Sequence, residues 1–233
     1  MHRRLTFALG GATLALALTP AAALAATKKT GGTSVTVRVE GLNRTLLAPT
    51  VVKAPKSGSI TKGGTPKGQC AANSAAGALD VATRHHWSGK YASGLGIELT
   101  RIFSETHLFS SKDYWSIWVG DGYAQHGLCS IKLHPGEQLL FAAVPGTFQG
   151  SLLALKAPSS ATTGSGFKVT VYSVNTKGKR TPLAHAHVSG RGVNATTNGR
   201  GVATIDPGAA GMLTLQATHA GDIRSAPETV RVS

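Results

Sequence analysis

"YWSIWVGDGYAQHGLCSI", residues 114–131, decides how the fold is read, because a chain with only 6% aromatic residues sets two tryptophans and two tyrosines here around a glycine-flanked turn. Strand alternation puts Trp115, Ile117 and Val119 on one face and Tyr114, Ser116 and Trp118 on the other, so each face carries a ring. Asp121-Gly122 marks a tight hairpin turn. Beyond it the chain predicts a return strand, a turn at Pro135-Gly136, and a closing strand through Leu139, Phe141 and Ala143. Strand aromatics usually serve burial, which makes most of this stretch hairpin core. The functional alternative is a platform for a sugar ring or another flat ligand. Its candidate residues are Tyr114, Trp118 and Tyr123, with Trp118 the ring expected to face solvent.

Upstream, SVTVRVEG alternates Val35, Val37 and Val39 against Thr36, Arg38 and Glu40, the pattern of a half-buried strand. TLLAPTVVK reads as its hairpin partner, and Pro49 marks an edge position or a bulge. Residues 53–68 are rich in Gly, Pro, Ser and Lys and predict a solvated loop. Ala75, Leu79, Ala82 and His86 then recur at helical spacing, with Asn73 or Ser74 to cap the start and Gly89 to stop it. GIELTRIFS predicts a further strand.

Near residues 146–150 two glycines and a proline separate ordered segments, and the domain boundary falls there. Downstream, short Val- and Thr-rich runs punctuated by Gly, Pro, Asn and Asp predict about seven strands, the pattern of a small β-sandwich. The fold class is therefore mainly β with one helix, in two domains.

The N-terminus carries Arg3 and Arg4, an apolar run from about Leu5 to Leu18, and Ala23-Leu24-Ala25, which together read as a secretory signal peptide over residues 1–25. A leader over residues 26–33 follows, and no later stretch reads as membrane-spanning. Removing the first 25 residues takes away two arginines and no acid, leaving 22 basic against 10 acidic side chains, a net +12. A secreted basic chain is drawn to anionic envelope polymers. Lys53, Lys56, Lys62 and Lys67 are the candidate contacts. The partners expected are such a polymer, a glycan or an envelope protein. No nucleic-acid recognition motif is present, so no specific nucleic acid is expected.

Cys70 and Cys129 are the sole cysteines, and in an oxidising compartment they predict one disulfide worth about 4 kcal/mol in the chain-entropy model. His185 and His187, two apart in a predicted strand, share a face, yet the residues around them and around His85-His86 do not complete a ligand set. Neither a metal nor a cofactor is expected. SGKYASGLG lacks the spacing of a phosphate-binding loop, and no nucleophile elbow or zinc-protease helix occurs, so catalysis is not expected.

SVTVRVEG, AAGALDVATRHH, YWSIWVGDGYAQHG and LHPGEQLLF together resemble the DUF4430 family, similar to the C-terminal β-domain of transcobalamin and intrinsic factor, over residues 34–146. The resemblance implies a β-grasp-like fold. That family usually has Asn-Gly at the hairpin turn where this chain has Gly120-Asp121-Gly122. Residues 151–233 resemble bacterial immunoglobulin-like modules through TPLAHAHVSGRGVNATTNGRGVATI. In the transcobalamin-like proteins cobalamin is also held by a helical barrel, for which this chain has no room, so the resemblance does not carry the vitamin across. The function expected is a secreted, non-enzymatic binding or adhesion module of the bacterial envelope, the alternative being a structural envelope protein that holds other proteins. The second domain is expected to act as a spacer or a further adhesion surface.

Overall fold

The structure is a computed structural model that describes residues 31–109 and 111–233. The expected signal peptide and the leader up to residue 30 lie outside the described residues. The fold is mainly β, with a single α-helix among the described residues.

The chain opens with an antiparallel hairpin of β1 (Thr33–Glu40) and β2 (Thr45–Ala54). Val35, Val37 and Val39 are at most 1% exposed, as their alternation requires. The opposite face departs from expectation: Arg38 and Glu40, read as solvent-facing, are buried as well. Pro49 sits on the edge strand where the register slips between the Val37–Thr50 and Val39–Leu47 pairs, so its missing N–H breaks no ladder bond.

Helix α1 (Ala75–Ala82) ends earlier than its spacing suggested. Arg84 and His85 adopt left-handed backbone angles, φ 51° and 67°, which an α-helix cannot continue through. Asp80 holds this reversal, accepting hydrogen bonds from Trp87 Nε1 at 2.8 Å and from His85 Nδ1 at 2.7 Å. Gly89, expected to stop the helix, lies instead in β3 (Trp87–Ala92), a strand the sequence did not announce. β3 pairs with β4 (Gly96–Ile102), and β5 (Glu105–Thr106) adds to the end of β4, giving a small sheet in the order β3-β4-β5.

The opening stretch becomes β6 (Asp113–Val119) and β7 (Gly122–Tyr123). Val119 pairs with Gly122, so the turn residues are Gly120 and Asp121, one place earlier than read. Gly120, at φ 55°, takes the first position of this two-residue turn with a positive φ, which glycine adopts without strain. The expected return strand is only two residues long. The extended partner of β6 is β8 (Gln138–Pro145), antiparallel to it and parallel to β1. The sheet order is β2-β1-β8-β6-β7, with α1 packed on β1 and β2.

After Tyr123 the chain leaves the sheet because its backbone caps the helix. Ala75 N–H donates to Ile131 O at 3.1 Å and Ala76 N–H to Leu128 O at 3.2 Å. The expected disulfide is present between Cys70 and Cys129 and fixes the same loop covalently. Ser74 occupies the N-cap position, but its hydroxyl donates to Ala71 O instead of accepting from the helix.

The second half is built from β9 (Leu152–Lys156), β10 (Ser160–Ala161), β11 (Phe167–Val174), β12 (Arg180–Pro182), β13 (His187–Gly190), β14 (Val193–Thr196), β15 (Val202–Ile205), β16 (Gly211–Thr218) and β17 (Glu228–Val232). Nine strands form where about seven were read, because β10 and β12 are too short to show periodicity. One sheet runs β10-β17-β16-β13-β14, and in the other β11 pairs with β9, β12 and β15. Val171, Val188, Ile205, Leu215 and Val230, none of them measurably exposed, form the core between these sheets.

The two halves share a third apolar core. Trp118, Leu140, Ala142 and Val144 from the first sheet pack against Leu152, Val174 and Ile223. Beside this core, Glu40 at 1% exposure accepts from Arg38 Nη1 at 2.9 Å, Arg224 Nε at 3.0 Å and Thr45 Oγ1 at 2.9 Å. Arg224 also donates to the carbonyls of Gly41 and Leu42. Burial lowers the Arg38 pKa, and the adjoining Glu40 opposes that shift. At the hairpin tip, Arg180 Nε donates to Asp121 Oδ2 at 2.7 Å. The second half is therefore seated on the first by a core and an ion network.

Candidate functional site

Packing of the second half onto the sheet decides which aromatic rings remain available. Trp118, expected to face solvent, is 0% exposed, donates through Nε1 to Ser116 Oγ at 3.2 Å, and meets Tyr123 edge-on at 5.4 Å. A ring closed in on every side cannot stack on a ligand, so the Tyr114/Trp118 platform does not exist as read. The physical reason is the shared core, which covers the face of β6 that carries Trp118.

Tyr114 and Tyr123 do come together, on the wall of a cleft of about 330 Å³. One side is β4 with the preceding Leu95. The other is β6, through Tyr114, Trp115 and Ile117, and the loop from Ala124 to Leu128 closes the end. Phe109 stands at the rim, 74% exposed and edge-on to Tyr114 at 5.7 Å. The chain thus leaves an aromatic, apolar recess open to solvent, with Glu98 and His126 as polar groups on its lining.

Trp115 is 7% exposed, and among the described residues its Nε1 has no hydrogen-bond partner. An indole N–H buried without an acceptor costs on the order of 1–3 kcal/mol. Behind the ring, His107 packs edge-on at 4.9 Å. Its Nδ1 lies 2.6 Å from Asp113 Oδ1 and its Nε2 3.2 Å from Glu105 Oε2, which orients the imidazole against Trp115. The loop wall is equally fixed, by the helix-capping bonds and the disulfide. Gly96 lies so close to Cys129 that an added side chain there would press on the bridge.

Tyr123 has its pKa pushed up to about 12, first by burial and then by the neighbouring Tyr114. Its hydroxyl remains a proton donor throughout the neutral range. Ultraviolet titration of the four tyrosines should show one phenol ionising near 12, and Tyr123→Phe should remove that step. The folded chain holds this proton more tightly than the unfolded chain, where the value is 10.0, so the group withdraws stability as pH rises from there through about 12.

The four candidate lysines separate. Lys53, Lys56 and Lys67 are exposed. Lys62 is tied down: its Nζ donates to His85 O at 2.9 Å and Trp87 O at 3.2 Å, and lies 5.3 Å from the Trp87 ring centroid. It is a structural clasp and not a mobile polymer contact. His185 has φ 59° and precedes β13, so the two-residue strand spacing with His187 does not hold. Among the described residues no group of three or more His, Cys, Asp or Glu side chains is placed to hold a metal.

Sequence reading missed Phe109, Leu95 and the outward role of the Trp115 side of β6. Leu108-Phe109 inside an otherwise polar run was the available signal for the rim. No family model matches the chain, and no curated protein matches it.

Proposed function

We propose that the protein is a secreted, non-enzymatic binding module of the cell envelope, that residues 34–146 form a β-grasp-like domain and residues 151–233 an immunoglobulin-like one, and that the first domain takes its ligand in the cleft between β4 and β6. The observation that carries the binding reading is the open aromatic recess of about 330 Å³, walled by Tyr114, Trp115 and Tyr123 and rimmed by the exposed Phe109. Ligand sites are concave and mostly apolar, with a few placed polar groups, and this recess has that make-up. The β2-β1-β8-β6 order, with β1 and β8 parallel and α1 following β2, supports the β-grasp-like reading. The division of one edge between β9, which pairs with β11, and β10, which runs parallel to β17, supports the immunoglobulin-like one. The disulfide fits an oxidising compartment. No helix among the described residues is long and apolar enough to cross a membrane.

Retention on an anionic envelope polymer is a second component, favoured by exposed Lys53, Lys56 and Lys67, which stand in no ion pair among the described residues. Sedimentation with envelope material from the native host, across a salt series, separates the two. Phe109→Ser, at an exposed position, should weaken the salt-resistant fraction about tenfold, or about 1.4 kcal/mol. Exchanging the three lysines for serine should remove only the salt-sensitive fraction. Wild-type retention by both variants would overturn the reading.

A further inference from the structure

A second cleft, of about 200 Å³, lies between the two halves and shares no lining residue with the recess of β4 and β6. Its floor is the face of the first sheet that the second half covers, with Thr36 and Arg38 on β1 and Leu140 on β8. Its roof is β9 from Leu152 to Leu155, together with Glu228 at the start of β17. The Arg180–Asp121 pair also lines it.

Two charged side chains in this cleft have unused capacity. A guanidinium carries five N–H donors. Arg38, 7% exposed, uses only Nη1, which donates to Glu40 Oε1 at 2.9 Å and to Arg224 O at 3.0 Å. Its Nε and Nη2, an edge that can grip a carboxylate side-on, make no hydrogen bond among the described residues. That edge is not sealed, because among the described residues Trp115 Nε1 is the one side-chain nitrogen or oxygen both shut off from solvent and unpartnered. Charge favours an anion there: Glu40 is the shared counter-ion of Arg38 and Arg224, so the cluster keeps one positive charge in excess. Glu228 is the complement. It stands opposite Leu215 in the β16–β17 register and two places before Val230, both 0% exposed, so its side chain turns inward with theirs. No ion pair among the described residues holds its carboxylate, and burial pushes its pKa up from the usual carboxylate value.

We propose that this cleft binds a single apolar amino acid as its zwitterion, the carboxylate on the Nε–Nη2 edge of Arg38, the ammonium on Glu228 and the side chain against Leu140 and Leu155. Arg38 and Glu228 form no ion pair with each other, which leaves one charge of each sign for the two ends of such a ligand. The volume is below the roughly 300–1,000 Å³ of pockets that take larger molecules, so the cleft suits one amino acid and not a polymer. Because its lining comes from both halves, occupancy ties the second half to the first.

The test uses the full mature chain with alanine, valine, leucine, isoleucine and methionine in both hands, read by calorimetry and by the thermal unfolding midpoint. At least one should bind at a single site and raise the midpoint as its concentration grows, as a ligand of the folded state does. The deaminated acid and the amide of the tightest binder, each lacking one charge, should bind about tenfold more weakly. Glu228→Gln should weaken the amino acid about tenfold and leave the deaminated acid unchanged, which places the ammonium at Glu228. Arg38→Lys keeps the buried charge but loses the fork, and should weaken the amino acid and the deaminated acid alike. Absence of binding across the whole panel would overturn the proposal. So would a deaminated acid that binds as tightly as the amino acid, since the cleft would then take any small carboxylate, and so would undiminished binding of the amino acid by Glu228→Gln.

Discussion

Replacing Glu40 by alanine should destabilise the protein by about 3–5 kcal/mol, the range for removing one partner of a buried ion cluster. The carboxylate is the common acceptor for Arg38, Arg224 and Thr45, and its removal leaves Arg38, itself 7% exposed, beside Arg224 with no counter-charge. The stem of Arg38 and the carbonyl contacts of Arg224 remain, so the variant should still fold. Its loss should appear as decoupling of the two halves: urea unfolding, expected as one transition in the wild type, should separate into two. Glu40→Gln should cost less, because the amide oxygen still accepts while the charge is gone. A Glu40→Ala protein with an unchanged midpoint and a single transition would show that the ion network adds nothing to the junction.

Trp118→Ala should be comparably severe, about 3–5 kcal/mol, the cost of truncating a large buried aromatic. The ring fills the shared core, packs on Tyr123, and uses its N–H on Ser116. Alanine leaves a void against Leu152, Val174 and Ile223 that the two sheets can close only by shifting together. Thermal unfolding should therefore move down sharply, while binding of a neutral apolar fluorophore such as N-phenyl-1-naphthylamine below the new melting temperature should persist, since Trp118 does not line the cleft between β4 and β6. Loss of binding with stability retained would restore Trp118 as a contact residue and remove the case for the Trp115 side.

These two variants sit on the side of the sheet that sequence reading treated as exposed. Arg38 and Glu40 alternate with valines as the polar face of a half-buried strand does, and nothing local distinguishes that pattern from a strand buried on both sides. Glu40 meets Arg224, 184 residues away in sequence, and no periodicity records such a partner. The cysteines were legible because their compartment and number leave one intramolecular pairing. The helix was legible in its body and not at its end, since Arg84 and His85 take left-handed angles for the sake of the Asp80 bonds. β3 was hidden for the same reason, as its first residues look like the tail of the helix.

By itself the sequence determined the β-rich class, the Val35/Val37/Val39 core face, the body of helix α1, the Cys70–Cys129 bridge, and an aromatic on each face of β6, all of which follow from local alternation, spacing and composition. Only the tertiary structure decided which side of β6 stays open. That choice depends on the second half packing over Trp118, Leu140 and Val144 while the cleft lined by β4, β6 and the loop from Ala124 to Leu128 is left open. Strand periodicity assigns side chains to two faces, but burial is conferred by whatever packs on each face, and here that partner comes from the other half of the chain.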